Sequence, residues 1–365
     1  MRSPAKSVGE GAARRYIPTV RARSLASASI AVVLAFAACG SSDDPPAASA
    51  SDGAKLYADT CALCHGARGE GYAADQATAL ANPTFLATAS DEYLRRSIAR
   101  GRPGTTMSAW GKAKGGPYDD VQVRNLVALL RSWQTDPTIP FGTTTPPGDA
   151  SKGAPAYAAR CASCHGPNGT EGPHVRLGNA ELLSIATDDF LRVAIDKGRP
   201  GTKMPAFPEL AGAAGSDVIA HVRSWARPVS DDEIALPGTL GPIVQNPTGP
   251  EPAFTVGQRF TPVDVVAREL QRGAAMGFLD ARAPSDYVAG HVAGAADVPF
   301  YQARDYLFAL PKDRWLVCYC ACPHAESGRL HDALAAAGFT KITILDEGVN
   351  VWAERGHPMR KGPSP

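Results

Sequence analysis

Residues 61–65 read Cys-Ala-Leu-Cys-His, and residues 161–165 repeat the pattern as Cys-Ala-Ser-Cys-His. Around these pentapeptides the chain of 365 residues matches itself at fixed offsets. Residues 91–107 align with residues 188–204, with ten of the seventeen positions identical. Four more residues of the first copy recur 100 positions later: Gly53, Tyr57, Gly66 and Gly69. The chain therefore contains a tandem repeat, and each copy includes one pentapeptide.

Each pentapeptide has the spacing C-x-x-C-H, which is the attachment pattern for c-type haem. Two thiols in one helical turn can each add to a vinyl group of the porphyrin, and the adjacent histidine then supplies a nitrogen to iron. A zinc site also uses C-x-x-C, but it needs two more ligands and neither copy has another cysteine. The pattern predicts two covalently bound haem c groups held by six residues: Cys61, Cys64, His65, Cys161, Cys164 and His165.

The second axial ligand is predicted from the methionines, of which the chain has five. Met107 and Met204 follow matching Gly-Arg-Pro-Gly-Thr segments in the two copies. A single methionine is usually core filler, but one repeated after the same loop of a haem-binding unit indicates a thioether ligand. His/Met ligation leaves iron no open position, so we expect single-electron carriage at a comparatively high potential. His174 is predicted to face solvent from a loop, and His221 to be a helix residue with a packing or a surface role.

With these ligands, residues 52–227 resemble class I cytochrome c twice over. The resemblance implies two small all-α domains, each around an edge-exposed haem, which exchange electrons with other redox proteins. Within the first copy, a helix is predicted to begin after Asp52 as its cap, and another to span residues 119–133.

The remaining residues, from about 259, match neither copy and alternate short apolar runs with helical stretches. The apolar runs are residues 276–279, 315–320 and 342–345, and the helical stretches include residues 263–271 and 327–337. This alternation predicts an α/β domain with a parallel sheet, whose function lies at the carboxyl ends of the strands. Cys320 lies at such an end.

Several segments here resemble a rhodanese domain, among them Leu279-Asp280-Ala281-Arg282, the run at residues 289–295, Tyr319-Cys320 and residues 348–358. The resemblance implies that Cys320 accepts a sulfane sulfur as a persulfide. Pro323 removes one N–H from the expected anion cradle, Glu326 adds negative charge, and the first arginine of the loop is Arg329. These departures disfavour ordinary thiosulfate chemistry. Cys322 is a candidate partner of Cys320, while Cys318 is predicted to be a buried apolar residue.

The fused architecture leaves three functions open. The first is an electron carrier with a rhodanese-like domain that handles sulfane sulfur. The second is a redox-linked sulfurtransferase, in which the haems remove electrons from sulfur oxidised at Cys320. In the third, the rhodanese-like domain docks a partner or a sulfur carrier without turnover.

The amino terminus predicts export. Six basic residues and one acidic residue precede or flank an apolar run at residues 25–38, and Phe36-Ala37-Ala38-Cys39 resembles a bacterial lipobox. Lipidation of Cys39 would anchor the protein on the periplasmic side of a bacterial membrane; cleavage to a soluble product is the alternative. Without residues 1–38 the net charge changes from +1 to −4. That charge argues against nucleic acid as a partner.

The predicted organisation is therefore multidomain. A signal peptide (1–38) and a tether (39–51) precede cytochrome c domain 1 (52–135), a linker (136–150) and cytochrome c domain 2 (151–227). A Pro/Gly-rich linker (228–258) and the rhodanese-like domain (259–362) complete the chain.

Overall fold

The computed structural model describes residues 47–74, 76–141, 146–237, 240–321 and 324–365. The predicted signal peptide, Cys39 and Cys322 lie outside the described residues. Among the residues described, no helix is both long enough and apolar enough to cross a membrane.

The first copy of the repeat is helical, and its first helix is capped by Ser49, whose Oγ accepts from the Asp52 N–H. Our prediction that Asp52 caps this helix was wrong, because Asp52 lies within the first turn. The final helix begins after Asp119, as predicted, with a capping box formed with Gln122. The helices are α1 (Ala50–Leu56), which continues through a π-helical turn (Tyr57–Cys61), α2 (Ala62–His65), α3 (Pro83–Thr88), α4 (Asp91–Arg100) and α5 (Asp120–Ser132).

The second copy repeats this order, and in each copy the first and last long helices cross at a glycine. A Cβ on Gly53 would lie 2.1 Å from the Asn125 carbonyl oxygen, and one on Gly153 would lie 1.9 Å from that of Asp217. Glycine recurs at this place because the two backbones approach too closely for any side chain. The helices are α6 (Ala150–Arg160), α7 (Ala162–His165), α8 (Ala180–Ile185), α9 (Asp188–Lys197) and α10 (Ala213–Arg223).

The two copies pack against each other with equivalent surfaces and share one hydrophobic core. Tyr93 and Phe190, which are equivalent in the repeat, stack with ring centroids 4.7 Å apart. The Asn82 side chain donates to the Pro200 carbonyl (2.8 Å), and its counterpart Asn179 donates to the Pro103 carbonyl (2.9 Å). Because the contacts are reciprocal, the copies are related by a pseudo-two-fold axis.

The rest of the chain forms an α/β unit with Cys320 directly after its central strand. Its first strand comes from the segment predicted as a linker. The elements are β1 (Val244–Gln245), β2 (Phe260–Thr261), α11 (Val263–Gln271), β3 (Met276–Asp280), α12 (Pro284–Ala289), β4 (His291–Val292), β5 (Ala296–Asp297), α13 (Ala303–Tyr306), β6 (Trp315–Tyr319), α14 (Ala325–Ala336), β7 (Ile342–Leu345), α15 (Gly348–Glu354) and β8 (Met359–Arg360).

The main sheet has the order β1-β3-β6-β7-β2, with β5 also paired to β3. All its pairings are parallel except β1 with β3, so the predicted parallel sheet is confirmed. Two separate hydrophobic clusters cover its faces, which explains why β3, β6 and β7 are apolar runs rather than alternating ones. The strands β4 and β8 form a small antiparallel pair.

Candidate functional site

The two pentapeptides of the repeat face one continuous cavity of about 900 Å³. Most of its wall is contributed by the two helical copies, and three residues of the α/β unit complete it: Ala321, Glu326 and Asn350. All eight predicted haem residues line it: Cys61, Cys64, His65, Met107, Cys161, Cys164, His165 and Met204. The structure therefore brings together residues that lie more than 140 positions apart in the chain.

The two histidines are held in the same way. His65 Nδ1 lies 2.8 Å from the Thr78 carbonyl oxygen, and His165 Nδ1 lies 2.7 Å from that of Val175. A carbonyl oxygen only accepts, so in each ring Nδ1 carries the proton and Nε2 keeps its lone pair for a metal. Burial lowers the pKa of both imidazoles, which favours the neutral, ligating form.

Cys64 and Cys164 lie on the short helices α2 and α7, and Cys61 and Cys161 are the residues that immediately precede these helices. Burial raises the pKa of Cys61 and of Cys161 to about 11, so both are neutral thiols at physiological pH. Tyr57 and Tyr157 donate to the carbonyls of Gly66 and Gly166, each at 2.8 Å. These bonds fix the end of each attachment helix, and they explain why the tyrosines recur in the repeat.

The methionine loops have identical hydrogen bonds in the two copies. In the first, the Thr105 N–H donates to the Arg102 carbonyl and the Met107 N–H donates to Thr105 Oγ1. The second copy repeats both bonds through Arg199, Thr202 and Met204. Gly104 (φ 80°) and Gly201 (φ 79°) occupy the position of a type II turn that requires positive φ, directly after proline. Each methionine is thereby held at the cavity by a rigid turn.

Two arginines of these loops test whether the cavity fits a haem. Arg102 and Arg199 line it, and each guanidinium lies over a ring of the interface, Tyr93 and Phe190 respectively. Burial lowers the pKa of Arg199 to about 10, and within the described residues no carboxylate forms an ion pair with it. A buried cation without an anion is costly, and the propionates of a haem would neutralise it. The sequence signal for this pair was its recurrence in the repeat.

The donor set fits a covalently attached haem in each copy better than it fits a bare metal ion. Each site offers two thiols, one neutral imidazole and one thioether around a large apolar cavity. In the part of the chain that the structure describes, no three His, Cys, Asp or Glu side chains are grouped to hold a metal ion.

The two other histidines of the helical region differ from each other. His221 packs between Tyr157 and Trp225 on α10, which confirms its predicted packing role. His174 is half-buried and lines the cavity, so the prediction that it faces solvent was wrong. Its N–H donates to the Cys164 carbonyl, and this bond folds the loop back over the attachment helix.

Cys320 lies at the carboxyl edge of the sheet and is 1% exposed. Its Sγ donates to Ser327 Oγ at 3.3 Å, and its carbonyl accepts from the Val349 N–H. Cys318 lies on β6, the strand that ends just before Cys320, and is fully buried, as predicted. Arg329 is exposed on α14, so it supplies no positive charge to this site.

Acidic side chains lie on this side of the domain instead: Glu326 interacts with Cys320, and Asp286 interacts with Glu326. Glu326 and Asp286 are buried, and burial raises the pKa of each carboxyl. The negative charge of a Cys320 thiolate raises the pKa of Glu326 further. Arg282, the buried cation nearby, is bound by Asp280 through two hydrogen bonds of 2.8 and 2.6 Å. The site therefore disfavours a dianion.

Comparison with known proteins assigns both parts of the chain. The family model described as "Cytochrome C oxidase, cbb3-type, subunit III" matches residues 48–130 and 148–222, and the rhodanese-like domain model matches residues 263–355. The chain contains two cytochrome c domains and a rhodanese-like domain. We call the three matched segments cytochrome domain 1, cytochrome domain 2 and the rhodanese-like domain. Cytochrome c domains carry covalently bound haem c and transfer electrons.

Individual relatives resemble only part of the chain. The cbb3-type cytochrome c oxidase subunit FixP of Azorhizobium caulinodans is 32% identical over 190 residues, which are 47% of this chain and 58% of that protein. An HTH-type transcriptional regulator of Mycobacterium tuberculosis is 30% identical over 106 residues, 28% of this chain and 47% of that protein. The chain thus spans about half the length of these curated relatives. A solved rhodanese-like domain from Anabaena is 27% identical, with a TM-score of 0.28, over 29% of this chain and 81% of that domain.

The rhodanese-like domain packs against cytochrome domain 1. Trp110 of cytochrome domain 1 contacts the rings of Phe300 and Tyr301, and the Tyr301 hydroxyl donates to the Gly115 carbonyl. Ser108, next to Met107, donates to Glu326 at 3.4 Å. No sequence pattern pointed to Ser108, because the second copy of the repeat has Pro205 at the equivalent position.

Proposed function

We propose that this protein is an exported dihaem electron carrier, with one haem c in each cytochrome domain and a sulfur-handling cysteine in its rhodanese-like domain. The observation that supports it most is the duplicated site. The histidine tautomer, the attachment turn and the methionine loop have the same hydrogen bonds in both copies. Each bound haem supplies a one-electron iron couple.

The residues around each site would favour this one-electron chemistry, because they would supply both axial ligands of the iron. His65 and His165 would each hold the iron through Nε2, whose lone pair is left available by the Nδ1 hydrogen bond, and Met107 and Met204 would supply the thioether ligands from their turns. A neutral thioether favours ferrous iron, so we expect a comparatively high reduction potential. Cys61, Cys64, Cys161 and Cys164 would anchor the two groups covalently.

Exchange of electrons between the two cytochrome domains is supported by their shared cavity. The methionine loop of each domain contacts the other domain, through the Asn82–Pro200 and Asn179–Pro103 bonds. We infer that one domain receives electrons from a redox partner and that the other passes them on.

For the rhodanese-like domain, we propose that Cys320 carries sulfane sulfur as a persulfide, with Cys322 as its candidate partner. Cys320 follows the central strand and has Ser327 as a polar neighbour. The acidic surroundings described above favour a neutral or singly charged sulfur compound, or a protein sulfur carrier, over thiosulfate. A docking domain without turnover is the competing proposal, and an alkylating reagent that leaves Cys320 unmodified in the folded protein would favour it.

We also propose that residues 1–38 direct export and that Cys39 is lipidated, which places the protein on the periplasmic side of a bacterial membrane. The support is the basic and apolar composition of this segment and its lipobox-like end. Metabolic labelling with a fatty acid, in wild type and in Cys39→Ala, tests the anchor: loss of label in the variant is expected.

The haem assignment is tested by expressing the full chain with a haem attachment system. Two haems per chain and low-spin spectra with a methionine-to-iron band are expected. Met107→Leu and Met204→Leu should each remove about half of that band while covalent haem is retained. Cys64→Ala with Cys61→Ala should leave one haem, and a chain with no haem contradicts the proposal.

A further inference from the structure

Two neighbouring residues of helix α14 join the predicted sulfur site to the predicted iron ligand of cytochrome domain 1. Glu326 Oε1 accepts from Ser108 Oγ at 3.4 Å, and Ser108 follows Met107 in the chain. Ser327 Oγ accepts from Cys320 Sγ at 3.3 Å. Two hydrogen bonds and two peptide links therefore connect the Cys320 sulfur to Met107.

This connection is specific to one of the two cytochrome domains. The residue after Met204 is Pro205, which has neither a hydroxyl group nor a backbone N–H. Among the described residues, no hydrogen bond joins residues 204–205 to the rhodanese-like domain. The two copies of the repeat thus differ at the position where cytochrome domain 1 contacts the rhodanese-like domain beside Cys320.

The surroundings of this path are closed to bulk water. Cys320 is 1% exposed, Ser327 1%, Ser108 3% and Glu326 8%. Ala321 and Glu326 line the same cavity as Met107. A reactant at Cys320 must therefore be small, and it would lie beside the cytochrome cavity rather than at an open surface.

Charge restricts the reactant further. Glu326 and Asp286 both interact with Ser108 or Cys320, while Arg282 is bound to Asp280 and Arg329 is exposed. A dianion such as thiosulfate would meet buried carboxyls, and among the described residues no cation beyond the Asp280-bound Arg282 is available to compensate its charge. Hydrogen sulfide is small and neutral in its protonated form, so neither the closed surroundings nor the buried carboxyls exclude it.

We propose that Cys320 oxidises sulfide to a bound persulfide and that the two electrons leave through Ser327, Glu326 and Ser108 towards Met107 of cytochrome domain 1. This inference rests on the proposed function, because it uses haem as the oxidant. A sulfur–sulfur bond forms between Cys320 and sulfide, the two S–H bonds break, and both protons pass to water. Each cytochrome domain would hold one ferric haem through its predicted ligands and would accept one electron, so a single turnover would balance within one chain.

The second half of the cycle is sulfur transfer. A nucleophile of the thiol or cyanide class attacks the outer sulfur of the persulfide, the sulfur–sulfur bond breaks and the Cys320 thiolate is regenerated. No electrons are exchanged in this step, so the haems remain reduced until a redox partner reoxidises them.

The experiment mixes the oxidised, haem-loaded full chain with sodium sulfide under anaerobic conditions. Two readouts are taken: haem reduction by absorbance, and the mass gain of one sulfur atom on the Cys320 peptide. Wild type should show two haems reduced for each sulfur atom added. Cys320→Ser should show no sulfur gain and only the slow background reduction that sulfide causes in solution.

Ser108→Ala tests the path itself. Its haem spectrum, reduction potentials and reduction by dithionite should match wild type, whereas reduction by sulfide should slow about tenfold or more. Ser132→Ala, which removes a serine hydroxyl that donates to Leu129 within α5 of the same domain, is the matched control. An unchanged rate of sulfide-driven reduction in Ser108→Ala would refute the proposed path, but not the proposal that sulfide is the substrate.

The outcomes separate this inference from the proposed function. A chain without haem refutes the proposed function. A chain that holds two haems and is reduced by dithionite, but gains no sulfur from sulfide, refutes the inference alone. Equal haem reduction in wild type and Cys320→Ser does the same.

Discussion

At the residue scale, the most informative groups are buried side chains whose charge the fold must compensate. Among the described residues of the rhodanese-like domain, the buried Glu269 pairs with Arg272, and four other buried acids, Asp280, Asp286, Asp297 and Glu326, interact with the buried Arg282. The Arg282 guanidinium donates two hydrogen bonds to Asp280, so little positive charge remains to stabilise the ionised form of the other three acids. The consequence is that burial raises the pKa of each of these three carboxyls.

Asp297 provides a test of this consequence. Burial and the charge of Asp280 raise the pKa of Asp297 to about 8, well above the value of an exposed aspartate. Between about pH 4 and 8 the folded state keeps a proton that the unfolded state loses, so stability should fall as pH rises through this range and then level off. Asp297→Asn should remove this contribution, making the pH dependence flatter by up to ~5 kcal/mol over this range.

The measurement is urea unfolding followed by circular dichroism at pH 5, 7 and 9. Asp313→Asn, at a side chain that is 78% exposed, is the control for removal of one carboxyl. A variant and a wild type with parallel stability profiles would show that Asp297 is not protonated in the folded state.

At the element scale, short helices are built so that one side chain both caps the helix and binds the other cytochrome domain. Asn82 Oδ1 accepts from the Phe85 N–H at the start of α3, while its Nδ2 donates to the Pro200 carbonyl. Asn179 Oδ1 accepts from the Leu182 N–H at the start of α8, and its Nδ2 donates to the Pro103 carbonyl. An amide suits both tasks, since it offers an acceptor and a donor on one planar group.

Substitutions at Asn82 should separate these two tasks. Asn82→Asp keeps the capping oxygen and loses the donor, whereas Asn82→Ala loses both. We expect Asn82→Ala to lower the free energy of unfolding by ~1 kcal/mol more than Asn82→Asp, because the cap contributes about that much. Thermal unfolding of the two variants measures the difference, and the same pair at Asn179 is the matched comparison. Equal losses in both variants would assign the whole effect to the interface.

At the scale of the whole molecule, the arrangement is set by two interfaces that involve cytochrome domain 1. One joins it to cytochrome domain 2 through the Tyr93–Phe190 stack and the bidentate Arg100–Glu181 ion pair. The other joins it to the rhodanese-like domain through Trp110, Phe300 and Tyr301. The linker adds to the first domain as well, since Asp231 pairs with Arg100.

The second interface should control access to Cys320. Tyr301→Ala removes the contact with Trp110 and the bond to the Gly115 carbonyl, so the cover over the cysteine should open more often. We expect alkylation of Cys320 by iodoacetamide to become about fivefold faster, as a loss of about 1 kcal/mol implies. Peptide mass spectrometry is needed to separate Cys320 from Cys318. Phe308→Ala, at a side chain 89% exposed, is the control, and equal rates in all three proteins would refute the covering role.

Periodicity and spacing predicted the fold well where the signal was local. Helix α11 has the predicted bounds, and β3, β6 and β7 match the apolar runs within one residue. The first helix cap was predicted wrongly, because Ser49 and Asp52 are both good capping residues and only the backbone path distinguishes them. His174 was also misplaced, since a loop can fold inwards over a cavity that its own composition does not reveal.

The amino-acid sequence alone indicates the chemistry of the parts: two haem attachment patterns with matched methionines, and a rhodanese-like cysteine after a buried strand. These are local patterns, and a repeat shows them twice. How the parts contact one another depends on the folded chain. Met107 and Cys320 are far apart in the chain, and the contact between Ser108 and Glu326 depends on packing between two domains. Such packing follows from the summed fit of many side chains, which no short motif encodes.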